Sequence, residues 1–169
     1  MRNGLKHFDK VYKEQCTAVY HTALVLLKDP SAAEDVMQDV FLTYYRALEQ
    51  GQEVKHLRAW LLTCTRNRCY NELRDHRREE PTEEISPLVV QEDPLADLQQ
   101  QDVVERLLAG LSSDERMSFS LHYLDGYTYH EIAAGLDVPV GTVQTRCRLA
   151  RKKLRAALHR MNDGEERLV

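Results

Sequence analysis

Apolar residues recur along this chain at intervals of three and four, the spacing of one helix face, and no apolar–polar alternation survives more than a few residues. The pattern predicts a first helix over residues 5–28, with Leu5, Phe8, Tyr12, Val19, Ala23 and Leu27 turned inward. Asp29-Pro30-Ser31 stops it. A second helix, residues 32–50, carries Val36, Met37, Val40, Phe41, Tyr44 and Leu48 on its core face. Ser31 and Glu34 have the spacing of a capping box at its start, Asp35 sits near its positive end, and Gly51 closes it. A third helix, 57–78, opens apolar with Leu57, Trp60, Leu61 and Cys64, then turns polar. After an interval without periodicity, Ser112 and Glu115 offer a capping box for a helix carrying Met117, Leu121 and Leu124.

The segment 128–154, TYHEIAAGLDVPVGTVQTRCRLARKKL, is the most informative. Asp125-Gly126-Tyr127 turns the chain into it. Thr128 and Glu131 form a further capping box, and Ile132, Ala133 and Leu136 supply an apolar stripe. Asp137-Val138-Pro139 breaks that helix. In the next helix Val140, Val143, Cys147 and Ala150 face inward, while Thr142, Gln144, Thr145, Arg146, Arg148 and Arg151 face outward. Two short helices and a tight turn leading into a basic face describe a helix-turn-helix, whose second helix fits a DNA major groove. A solvated helical hairpin would mix charge signs to gain i,i+4 pairs; here no acidic residue interrupts the seven Lys and Arg between Arg146 and Arg160.

Charge sharpens this picture once it is divided along the chain. The net charge is −4, yet residues 79–105 hold nine acids and no Lys or Arg, so that window carries −9 and leaves +5 on the rest. Local fields, not net charge, decide where a polyanion docks. Within the window, EEPTEEISPLVVQEDPLAD (79–97) has the composition of a flexible acidic linker. The expected organisation is therefore all-α, with two small helical domains, residues 1–78 and 98–169, on either side of it. With 169 residues, 43% hydrophobic and 30% charged, the chain is of the globular class. No apolar run reaches the length of a membrane span, and MRNGLKHFDKVYKEQ lacks the apolar core of a signal peptide, so a cytoplasmic location is expected. Cys16, Cys64, Cys69 and Cys147 form no CxxC pair and read as small buried hydrophobes; a zinc or redox site joining Cys16 to His7 or His21 is the weaker reading.

Two further surfaces stand out. On the second helix Asp35, Gln38, Asp39 and Leu42 place acids beside an exposed leucine, which is a solvated face or a docking surface. On the third, Arg66, Asn67, Arg68, Tyr70, Asn71, Arg74, Arg77 and Arg78 combine cations, amides and an aromatic ring, as suits nucleic acid; the plainer reading is a cationic cluster favoured by the helix dipole.

In this order the segments resemble an extracytoplasmic-function (ECF) sigma factor, a small bacterial initiation factor of the sigma-70 type that keeps only the second and fourth sigma domains. SAAEDVMQDVFLTYYRAL resembles the family helix that binds the β′ clamp helices of RNA polymerase. RAWLLTCTRNRCYNELRDHRR resembles the helix that engages the −10 element, and LDGYTYHEIAAGLDVPVGTVQTRCRLARKKLRAAL the fourth domain that reads the −35 element. The resemblance implies that Asp35, Gln38, Asp39 and Leu42 contact polymerase. The loop 51–57, with Gln52, Lys55 and His56, corresponds to the segment that captures a base flipped from the −10 element. Arg66, Asn67, Tyr70, Asn71 and Arg74 line the path of the opened strands; Thr142, Gln144, Thr145, Arg146, Arg148, Arg151 and Lys152 contact the −35 element. The acidic linker threads the RNA exit path. Two departures are visible: LSSDERMSFSLHY replaces the usual proline-containing start of the fourth domain, implying a less rigid opening, and Leu149 stands where many relatives have Arg, so a phosphate contact is missing or shifts to Arg148.

The resemblance implies a chain without catalytic residues, cofactor or metal, which selects where polymerase starts. The implied partners are core polymerase (β′ clamp helices and β flap), promoter DNA and an anti-sigma factor. A stand-alone regulator would need a dimer seam or sensory domain, and neither is apparent. An enzyme built on His122, Glu131 or Asp125 lacks a nucleophile–base or metal spacing. The other alternative is a degenerate sigma-like adaptor that binds polymerase but not promoter.

Overall fold

The computed structural model describes residues 2–79, 104 and 106–166, and among these no strand occurs. The acidic segment 80–97 and the expected domain start near residue 98 lie outside the described residues.

Helix α1 (Arg2–Leu27) ends at Lys28, which takes the left-handed conformation (φ 57°) while its N–H donates to Leu24 O at 2.8 Å. Helix α2 spans Pro30–Glu49. Its cap is Asp29, not the Ser31–Glu34 box expected from spacing: the Asp29 carboxylate accepts from the Ser31 and Ala32 N–H groups. Pro30 sits at the first helical position, where a missing N–H costs nothing, so the helix starts one residue before the serine. At its far end Gly51 (φ 69°) donates to Leu48 O and Gln52 to Ala47 O, a Schellman motif that needs a residue tolerant of positive φ. Helix α3 spans Leu57–Glu79.

In the second half residues 106–109 are helical, followed by α4 (Ser113–Phe119), α5 (Tyr129–Leu136) and α6 (Val140–Glu166). Ser112 and Glu115 cap α4 reciprocally, and Thr128 and Glu131 cap α5 in the same way, as their spacing predicts. Helix α4 runs on into a single π turn, Ser120–Leu124, closed by Asp125 N–H donating to Ser120 O. The extra residue per turn breaks the 3.6 period, so Leu124 is 63% exposed rather than inward, and Tyr127 is buried in its place.

The inward face of α1 is also rotated from the expected one. Leu5 and Tyr12 are exposed, whereas Val11, Gln15, Ala18, Val19, Thr22 and Ala23 are buried. The reason is that α1 has two neighbours. Val11, Val19 and Ala23 join Val36, Val40, Phe41, Tyr44 and Leu61 in one apolar cluster. Ala18 instead joins Leu62 of α3 and, from the second half, Met117, Leu121, Tyr127, Ile132, Val143 and Cys147 in another. Leu108, Leu111 and Ala150 form a third. The two halves therefore share a core instead of having wholly separate ones.

Candidate nucleic-acid interface

The second helix presents Asp35, Gln38 and Leu42 to solvent along one face, at the i, i+3, i+7 spacing that follows from burying Val36, Val40 and Tyr44 opposite. Leu42 is 46% exposed, which isolates an apolar contact among polar ones. Asp39 lies on the same face but is not free: Arg68 of α3 grips its Oδ2 with Nε (2.9 Å) and a second guanidinium nitrogen. The pair is half-exposed and fixes α2 against α3 more than it adds stability.

The loop after α2 is held by the Schellman motif, so Gln52, Lys55 and His56 are exposed at its tip. With Trp60 and Thr63 they line one wall of a groove of about 680 Å³; the other wall is His130, Glu131 and Ala134 of α5. Beyond the loop, α3 divides into two faces. Asn67, Tyr70, Asn71 and Arg74 are exposed at i, i+3, i+4, i+7, with Tyr70 54% exposed. A ring and three hydrogen-bonding groups in that arrangement can stack on unpaired bases and hold a backbone. Arg66 adjoins them, its Nη2 donating to Asn67 Oδ1 at 3.3 Å. It turns toward α5, where its guanidinium donates to Gly135 O at 3.1 Å.

The helix-turn-helix is built as its motif predicts, with one addition. Asp137 ends α5 in the left-handed region (φ 57°, ψ 49°), and Pro139 O accepts from Thr142 and Val143 N–H to start α6. Val143, Cys147 and Ala150 are buried, which leaves Gln144, Thr145, Arg148, Arg151 and Lys152 exposed on the far face, with Thr142 half-buried at its edge. Arg151 donates to the Tyr123 hydroxyl at 3.2 Å. Arg146 is held to the side by Asp114 of α4 at 2.6 Å, and Lys153 by Glu115 at 2.7 Å. These two cations fasten α6 to α4. The Lys153 ammonium, with the Ser112 N–H, holds the Glu115 carboxyl below the usual glutamate range. Sequence spacing could not show this, because the acids lie 32 and 38 residues upstream.

Burial pushes the Cys69 thiol up to about 12, and raises those of Cys64 and Cys147 as well, so none is a thiolate near neutral pH. Among the described residues no three His, Cys, Asp or Glu side chains converge as metal ligands, and no described helix is long and apolar enough to cross a membrane.

Gln15, Arg58, Leu62 and Gly135, which carry no sequence signal, help to join the halves. The Tyr127 hydroxyl donates to Gln15 Oε1 at 2.7 Å in a buried site. Arg58 Nη1 donates to Gly126 O at 2.7 Å, and its guanidinium lies 5.0 Å from the centre of the Tyr127 ring. Leu62 packs against Gly135.

Comparison with known proteins agrees with this layout. The Sigma-70 region 2 family matches residues 12–79, covering α2, the loop and α3; the Sigma-70 region 4 family matches residues 101–154, covering the helix-turn-helix. The chain is 30% identical over 134 residues to the ECF RNA polymerase sigma-E factor of Escherichia coli K12, covering 71% of this chain and 70% of that one. It is 28% identical over 160 residues to the ECF RNA polymerase sigma factor SigK of Mycobacterium ulcerans, covering 89% and 85%. Among solved structures, the sigma factor RpoE in complex with the anti-sigma factor NepR from Bartonella quintana superposes with a TM-score of 0.64 at 27% identity, over 91% of this chain and 98% of that one. CnrH, solved with the cytosolic domain of CnrY, shares the fold at a TM-score of 0.56 and 22% identity, over 92% and 89%. The paired family regions, in the order that the acidic face, the aromatic–cationic helix and the helix-turn-helix require, show that this chain belongs to the sigma-70 family, among its ECF sigma factors.

Proposed function

We propose that this chain directs bacterial RNA polymerase core to its promoters through three surfaces, with residues 1–78 and 98–169 as its two working domains. Asp35, Gln38, Asp39 and Leu42 dock on polymerase. Gln52, Lys55, His56, Asn67, Tyr70, Asn71 and Arg74, joined by Arg66, engage the opened −10 strand. Thr142, Gln144, Thr145, Arg148, Arg151 and Lys152, flanked by Arg146, read the −35 duplex in its major groove. The observation that carries this reading is the exposure of two chemically different nucleic-acid faces: an aromatic–amide face suited to unstacked bases and an Arg–Gln–Thr face suited to base edges. Polymerase makes the bonds, and the chain supplies position, acting in the cytoplasm. Each reader is weak alone; joining both to core raises the effective concentration of each for its element. An anti-sigma factor that covers these faces completes the scheme, by analogy with the sigma factor RpoE solved with the anti-sigma factor NepR.

Run-off transcription with purified bacterial core polymerase on a fragmented genomic library, with and without the chain, tests the proposal. Discrete new start sites sharing upstream elements are expected. Binding to core without new starts would point to an adaptor, and binding to DNA without core to a stand-alone regulator.

A further inference from the structure

Three cations of α6 are held from behind by α4 and its π turn: Arg146 by Asp114, Lys153 by Glu115, and Arg151 by the Tyr123 hydroxyl. The three grips differ in kind. Glu115 is nearly buried, its side chain 9% exposed, and it also closes the α4 cap, so it fastens the two helices firmly. Tyr123 is neutral, and Arg151 keeps its charge available for phosphate. Asp114 does something else. Its side chain is 63% exposed, and an ion pair so open to water adds little stability. Yet it cancels the charge of Arg146, a residue that flanks the face proposed for the −35 duplex.

A cancelled charge releases no net counterion from DNA, so the pair brings direction in place of attraction. Arg146 lies one turn after Thr142 and next to Thr145, in the N-terminal part of α6, where a helix-turn-helix meets base edges. Its side chain is 22% exposed, and Nη2 donates to Asp114 Oδ2 at 2.6 Å. A guanidinium carries five N–H donors in one rigid plane, so fixing one nitrogen fixes the plane in which the others point. Asp114 is itself fixed, because it stands in the first turn of a helix closed by the reciprocal Ser112–Glu115 cap. A carboxylate at this place also repels phosphate. The fork of Arg146 is thereby turned from the backbone toward a base edge, for which the O6 and N7 acceptors of guanine are the best match. Held in advance, it has less freedom to lose on binding.

We propose that Asp114 is a specificity-determining residue of the −35 reader, which aims Arg146 at one base pair and keeps it off the phosphate backbone. This rests on the promoter-directing role proposed above. Asp114 acts through Arg146 and is a positioning residue. Affinity for any duplex is given up so that the right one is told from the wrong ones.

A start site found by run-off transcription supplies the promoter for the test. Its −35 element is randomised, and the duplexes retained by core polymerase carrying each full chain are sequenced. In Asp114→Asn the preference at one base pair should fall about tenfold, within the range of a single bidentate contact, while the other positions keep theirs. The same variant, titrated alone against a scrambled duplex, should bind more tightly than the wild type, with a salt slope steeper by about 0.9 for the freed charge. Arg146→Gln should lose the same base pair, and adding Asp114→Asn to it should remove no further preference. Asp114→Glu, which keeps the carboxylate, should retain the preference. An unchanged preference in Asp114→Asn would overturn the proposal. So would an equal loss at every position with a lower urea midpoint, the mark of a mere strap between helices, or a further loss on the Arg146→Gln background. If Asp114→Asn loses helicity, Asp114→Ser decides by the same criteria. A wild type that yields no start sites, or no −35 preference, removes the promoter-directing role and this inference together; a wild-type preference that Asp114→Asn leaves intact removes this inference alone.

Discussion

Side chains that the sequence marks as one group are sorted by the structure into different tasks. Of the basic residues on α6, Arg148 is exposed on the face proposed for DNA while Arg146 is paired with Asp114. Arg148→Ala should therefore weaken −35 duplex binding by about 1–3 kcal/mol and leave −10 strand binding intact. Tyr70→Ala should do the reverse, losing about 1–3 kcal/mol of stacking. Titrating each variant against separate duplex and single-stranded probes checks both; equal losses on both probes would contradict the assignment. Asp137 is a second case. It holds φ 57° at the end of α5, a conformation that glycine adopts without strain. Asp137→Gly should raise stability by about 1 kcal/mol, read as a higher urea midpoint at unchanged slope. The helix-turn-helix was legible at this scale because capping boxes and proline leave local signatures. Gln15 was not, since a lone glutamine on an amphipathic face gives no sign that its partner lies 112 residues away.

Helices announce themselves by period, and most of these did. The exceptions have physical causes. In α1 two apolar neighbours pull on different sides, so no single stripe describes it; in α4 the π turn shifts the register and exchanges Leu124 for Tyr127. The junction of α4 with α6 rests on Glu115, which caps α4 and binds Lys153. Glu115→Ala should cost about 1–2 kcal/mol, because it removes both the reciprocal cap and the partner of a basic side chain. The pH dependence has a definite sign. The folded state lowers the Glu115 pKa, so its contribution is fully present above the ordinary glutamate range and is lost as pH falls through the lowered value. Denaturation in urea across the acid range should show that slope in the wild type, and a shallower one in Glu115→Ala.

At the scale of the molecule, the order of the modules and the charge of the segment between them were readable, whereas their mutual packing was not. A contact between halves leaves no period in either. Its consequence extends to how the protein comes apart. Ala18 and Leu62 belong to the first half by sequence, yet they lie in the same cluster as Met117, Ile132 and Val143. Neither half can unfold without stripping apolar surface from the other, so heat should dissolve the chain in one cooperative transition. Calorimetry of Gly135→Ala should resolve two transitions, one for each half. A bacterium warming past the midpoint would then lose both promoter readers together, and a strain carrying the alanine would lose them one at a time.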